Sequence, residues 1–132
     1  AIMTSLPYTA LITLLAVALL LGVTINVGRA RGKYGIKAPA VTGHEMFDRA
    51  YRVQMNTLEG MLLMLPALWL CAAFYSDTRA APLGAVWVLA RIWYAVAYMG
   101  DPAKRGGGFV IAMLAFAGLW LGALVGVLRA LF

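Results

Sequence analysis

The chain is predicted to be an all-α integral membrane protein, a four-transmembrane-helix antiparallel bundle. Three observations predict it. Of its 132 residues, 64% are hydrophobic and only 12% charged, against about a quarter charged in an average soluble domain; mean hydropathy is +0.86. The apolar residues gather into four stretches, and a spanning helix needs roughly 20 of them in succession. The basic residues gather in the connections between those stretches.

The elements follow in order. Residues 5–28, "SLPYTALITLLAVALLLGVTINVG", carry no charge. Charged residues follow this run rather than precede it, and no A-x-A-like site closes it, so a retained helix is expected rather than a cleaved signal. Helix one should run from Ser5 to Arg31. "GKYGIKAPAVTG", with its glycines and proline, then reads as a loop. Thr42 or His44 should open helix two, placing Glu45 and Asp48 in a first turn where the macrodipole favours acids. Helix two reaches spanning length only by taking in residues 49–59 ahead of "GMLLMLPALWLCAAF", and should end near Tyr75. Pro66 is expected to kink it, with neighbouring helices resatisfying the freed carbonyl. Helix three, about Ala80 to Gly100, must absorb Arg91. "DPAKRGGG" is a short turn, and helix four covers about Phe109 to Leu131. Short second and third connections make helices two to four an antiparallel series. One domain, residues 1–132, is expected.

The placement of basic residues predicts orientation. Connection one carries Arg29, Arg31, Lys33 and Lys37, with Arg49 and Arg52 close behind; connection three carries Lys104 and Arg105; connection two carries only Arg79. Connections one and three should face the cytoplasm and both termini the opposite side. This accounts for the net charge of +6 without nucleic acid, because no aromatic residues interleave with the cations as in nucleic-acid binders. Cys71 is alone, which excludes an intrachain disulfide or cysteine metal site, and reads as a small buried hydrophobe. His44, also single, reads as a solvated residue ahead of a helix. No metal cluster, phosphate loop or nucleophile–base pair is present, and no metal is expected.

Polar residues inside the apolar runs are the functional signal. Arg52, Asn56 and Glu59 fall at i, i+4 and i+7 on one face of helix two, a stripe of roughly 10 Å at 1.5 Å per residue. Arg49 and Asp48 extend it. Arg91, Tyr94 and Tyr98 make a second stripe on helix three. Pairs such as Arg52–Glu59 or Arg91–Glu59 could neutralise one another and merely fix packing. So many groups exceed what packing requires, since each costs a few kcal/mol in hydrocarbon. Arginine and tyrosine grip carboxylates and small polar ligands, the lone deep acid suits an ammonium, and amide and phenol heads suit a peptide backbone. An anion about 10 Å long with an amine and more than one carboxylate fits this arrangement; glutathione is such a molecule.

"FDRAYRVQMNTLEG" and "LARIWYAVAYMGDPAKR" resemble the signatures of the MAPEG superfamily, the membrane-associated proteins of eicosanoid and glutathione metabolism, and the likeness covers nearly the whole chain. It implies a homotrimer of four-helix bundles with glutathione as co-substrate between subunits near the cytoplasmic face. Carried over by position, Arg52, Gln54, Asn56 and Glu59 on helix two, Arg91, Tyr94 and Tyr98 on helix three, and Arg31 at the end of helix one resemble the family's glutathione contacts. Arg105 matches the arginine that holds the thiol as thiolate, and is the catalytic candidate. A free cysteine thiol has a pKa near 8.5 and attacks only as thiolate; a guanidinium against the sulfur favours that form. The partner would be a hydrophobic electrophile or lipid arriving from the membrane lipids. Gly60 stands where many members have tyrosine, and Gly32 and Gly106 stand where eicosanoid-specialised members carry polar or basic side chains. The resemblance therefore implies a general glutathione transferase, with or without peroxidase activity, in a bacterial inner membrane. The rivals are a non-catalytic lipid-binding scaffold and a small four-helix multidrug exporter. An exporter coupled through Glu59 would not need arginines that hold its acid ionised.

Overall fold

The computed structural model describes residues 5–132; residues 1–4 of the expected domain lie outside the described residues. Four helices follow in order: α1, Pro7–Tyr34; α2, Glu45–Phe74; α3, Asp77–Gly100; and α4, Gly106–Leu131. All four are long and apolar enough to cross a membrane. Among the described residues there is no strand. A 3₁₀ turn, Pro102–Lys104, joins α3 to α4. The helices α2 and α3 pack on each other and on both outer helices, α1 and α4.

The ends depart from the sequence expectation for local reasons. The helix α1 continues past Arg31 to Tyr34, because Gly35, at φ 67°, is the residue that adopts the left-handed cap; that conformation costs glycine little. Gly32 stays helical. His44 caps α2, its Nδ1 accepting from Met46 N at 3.0 Å, while its ring stacks on Tyr34 with centroids 3.8 Å apart. It is therefore more than a solvated approach to the helix. The helix α3 begins at Asp77, ahead of Ala80, since the Ser76 hydroxyl accepts from Arg79 N, the usual service of an N-cap. The helix α4 begins at Gly106, three residues ahead of Phe109. The helix α2 runs on through Pro66 to Phe74.

The core is built largely of small side chains, with Ala16, Ala67, Ala80, Ala90, Ala112 and Ala115 buried around Met64, Leu68, Trp87 and Leu119. Hydrocarbon offers no hydrophobic force between helices, so close backbone approach carries the packing. The seam of α4 shows this. Gly108, Ala112, Ala115, Leu119, Ala123 and Gly126 are its buried residues, at spacings of three or four. A Cβ on Gly108 would lie 2.7 Å from Ala90 O and Tyr94 N of α3, and one on Gly126 would lie 2.5 Å from Phe74 O of α2. The first of these contacts draws the start of α4, and with it Arg105, against Tyr94.

Hydrogen bonds complete the association. Trp69 Nε1 donates to Thr13 Oγ1 at 3.0 Å, joining α2 to α1. At the other end Arg49 of α2 donates from Nη1 to Met99 O and Gly100 O at 2.9 and 3.1 Å. A cation there satisfies the last carbonyls of α3 and opposes their partial charge. Asp77 of α3 reaches the first turn of α1, accepting from Thr9 N at 2.9 Å and Tyr8 N at 3.3 Å.

Candidate functional site

The polar stripes of α2 and α3 meet at the end of the bundle that carries connections one and three. Their centre is Arg91, 2% exposed. Its guanidinium lies 5.5 Å from the Trp87 ring centroid, 5.1 Å from that of Tyr94 and 5.7 Å from that of Phe109. Three rings thus supply the negative π-faces that a desolvated cation prefers. Arg91 Nη1 donates to Asn56 Oδ1 at 2.5 Å, and Nε is buried with no hydrogen-bond partner. Arg91 fits here because the facing residue on α2 is Gly60: a Cβ there would lie 2.6 Å from Arg91 Nη2 and 3.2 Å from the Trp87 ring.

In front of this buried cation lies a cavity of about 480 Å³ lined by Asn56, Tyr94, Ala103, Arg105, Gly106 and Phe109. Asn56 spends its oxygen on Arg91. Its NH₂ group, which can only donate, is what remains for a ligand in the cavity. Arg105 is exposed and donates from Nη1 to Pro102 O at 2.8 Å, which ties the side chain to the turn that precedes α4. Three glycines open α4; Gly106 has open space around it and, like Gly107, is exposed beside Arg105. The N-terminal end of a helix favours an anion. The sequence reading gave this feature no weight, although "RGGG" was its signal.

A second cavity, about 490 Å³, is lined by residues that include His44, Glu45, Asp48, Arg49, Arg52 and Tyr98. Tyr94 and Tyr98 connect the two cavities, their ring centroids 5.6 Å apart. Arg52, Asn56, Arg91, Tyr94, Tyr98 and Arg105 are therefore brought together. Glu59 is exposed on α2 and lines neither cavity. Neither of the neutralising pairs considered from sequence forms: among the described residues the one ion pair joins Arg49 to Glu45.

The remaining two candidates lie elsewhere. Gln54 sits about 200° around α2 from Arg52, at ~100° per residue, and its Nε2 donates to Thr24 Oγ1 of α1 at 3.2 Å. Arg31 donates to Ala40 O at 2.7 Å and lies 4.9 Å from the Phe47 ring centroid. Both belong to the α1 side of the molecule. Sequence reasoning left out Trp87 and Phe109, which wall the buried guanidinium, and gave Arg49 no task beyond extending the stripe.

Comparison with known proteins places this arrangement. The model of the MAPEG family matches residues 9–125. The chain belongs to the MAPEG family. An uncharacterized protein of Synechocystis sp., sll1147, is 51% identical over 125 residues, covering 95% of this chain and 91% of that protein. Mouse microsomal glutathione S-transferase 2 is 38% identical over 88 residues, 67% of this chain and 60% of its own length. Bovine leukotriene C4 synthase is 34% identical over 94 residues, 71% of this chain and 63% of its own length. Each alignment with these two named MAPEG enzymes spans under two thirds of the relative. Membership and the four apolar helices together make the chain an integral membrane protein.

Proposed function

We propose that the protein is a membrane-bound glutathione transferase that holds the glutathione thiol as thiolate and conjugates it to hydrophobic electrophiles arriving from the lipid. The observation that carries this reading is the buried Arg91 guanidinium, clasped by three aromatic rings and Asn56 with no carboxylate in hydrogen-bonding reach. A buried cation left unpaired is costly, and a cavity beside it that presents an amide NH₂, a phenol and a second guanidinium is built for an anion. Similarity to a glutathione S-transferase and a leukotriene synthase supports glutathione as that anion.

In this reading Asn56 and Arg52 hold carboxylate or peptide oxygens and Arg91 positions Asn56, while Glu59, exposed on α2 outside both cavities, takes the ammonium where the ligand extends past them onto that face. Arg105 and the exposed start of α4 face the sulfur. Deprotonation then needs no protein base, because the cation and the helix N-terminus stabilise the anion once formed. The sulfur lone pair attacks the electrophilic carbon, forming the C–S bond, while the displaced pair leaves with the departing group or is protonated from water. Arg31 and Gln54, on the α1 side, would serve a site formed with a neighbouring copy, so the working unit proposed is a homotrimer.

The test is the thiolate absorbance of bound glutathione, titrated against pH. One charge-assisted hydrogen bond of about 1.5–3 kcal/mol lowers the thiol pKa by roughly one to two units at ~1.36 kcal/mol each. The bound thiolate should therefore be present at neutral pH and disappear as pH falls through that lowered value. Arg105→Ala should move the transition back toward the free-thiol value with affinity nearly intact; Arg52→Ala and Glu59→Gln should weaken binding about tenfold or more. If Arg105→Ala titrates like the parent and loses affinity instead, Arg105 is a carboxylate clamp. No bound thiolate in the parent would leave the lipid-scaffold reading in place.

A further inference from the structure

A third cavity, about 350 Å³, opens at the same end of the bundle and shares no lining residue with the two above. Asn26, Arg29 and Lys33 approach it from one face of α1, joined by Tyr34, and Met46 of α2 and Met99 of α3 complete its wall. The three α1 residues recur at i, i+3 and i+7, as one helix face requires. Arg29 and Lys33 are both exposed, and neither joins the one ion pair found among the described residues. No acid lines the cavity.

Depth identifies the class of ligand. The charge-free part of α1, residues 7–28, is about 33 Å long at 1.5 Å per residue, and a bilayer core is about 30 Å thick. Arg29 is the first residue past that run. Asn26 lies one turn inside it and Lys33 one turn outside, so the cavity straddles the boundary between acyl chains and headgroups. Its polar side offers two cations and an amide. Its apolar side offers two thioethers, adaptable surfaces for the start of a chain.

We infer that this cavity is a binding site for an anionic phospholipid, with Arg29 and Lys33 on the phosphodiester and Met46 and Met99 against the first carbons of the acyl chain. A headgroup bearing an ammonium would meet two cations and no carboxylate, so a phosphodiester carrying a neutral polyol is the form selected. A soluble phosphate would leave the methionine wall unused. The inference rests on the membrane reading and is independent of glutathione.

The experiment takes the purified full chain in detergent with an equimolar mixture of glycerol-headgroup and ethanolamine-headgroup phospholipids of identical acyl chains. Retained lipid is identified by native mass spectrometry. The parent should retain the anionic lipid in preference by about tenfold or more, given two interfacial cations. Arg29→Gln combined with Lys33→Gln should bring the preference close to parity; both side chains are exposed, so the core is untouched. Arg79→Gln combined with Arg129→Gln removes equal charge from the opposite end, where both guanidiniums stack on Tyr75, and should leave the preference standing. The inference is overturned if the Arg29 and Lys33 pair can be neutralised without loss, or if both double variants lose preference equally. It is also overturned if glycerol 3-phosphate, without acyl chains, displaces the bound lipid at matched concentration.

Discussion

At the scale of single residues, the position opposite a functional group decides as much as the group itself. Arg91 was legible as a charge in an apolar helix, but its burial was not, because burial depends on Gly60 across the interface with α2. One helix's periodicity gives angular position and says nothing of what its neighbour leaves open. The same periodicity did contain the position of Gln54, half a turn away from Arg52, and the structure bears the angle out. Gly60→Ala should displace the guanidinium from Asn56. The added methyl gains up to about 1 kcal/mol of helix propensity and loses about 1–3 kcal/mol to overpacking. Thermal unfolding in detergent should therefore show little change or a modest loss, while glutathione affinity falls clearly. An unaltered affinity would mean that Arg91 does not order the site.

At the scale of elements, the four helices and their glycine- and proline-rich connections were legible because apolar run length and breaker residues act locally. Ends were less so. Gly32 and Gly35 are equivalent in composition, yet only Gly35 takes the left-handed cap, since α1 has packing to make as far as Tyr34. The start of α4 lay in three glycines that sequence reasoning assigned to the turn. Those glycines let α4 approach α3 at Gly108, where a side chain would strike backbone rather than a movable side chain. Gly108→Val should thus separate the helices at the level of Tyr94. Expected outcomes are a loss of stability of about 1–3 kcal/mol or more and a rise in the pKa of bound glutathione, as Arg105 moves with α4. A variant that keeps both the parental unfolding midpoint and the parental thiolate titration would show that this contact does not position Arg105.

At the scale of the whole molecule, the division of candidate residues between the α2–α3 groove and the α1 side was not legible from sequence, because separation in space needs the bundle. It motivates the expected trimer, which native mass measurement in detergent should show; monomer or dimer alone would count against it. The concentration of basic residues in connections one and three predicts that a reporter fused at Phe132 is active only outside the cytoplasm, and cytoplasmic activity would reverse the orientation. The carboxylate of Asp77 has a consequence for how the chain is made. It accepts from the N–H groups of Tyr8 and Thr9, the first two that α1 has since Pro7 carries none, and Leu6 ahead of them provides no side-chain cap. The helix α1 is translated before α3, so its opening amides receive this carboxylate only once α3 is in place. Until α3 is synthesised and inserted, those amides lack this partner, so the settling of α1 draws on a residue nearly seventy positions downstream.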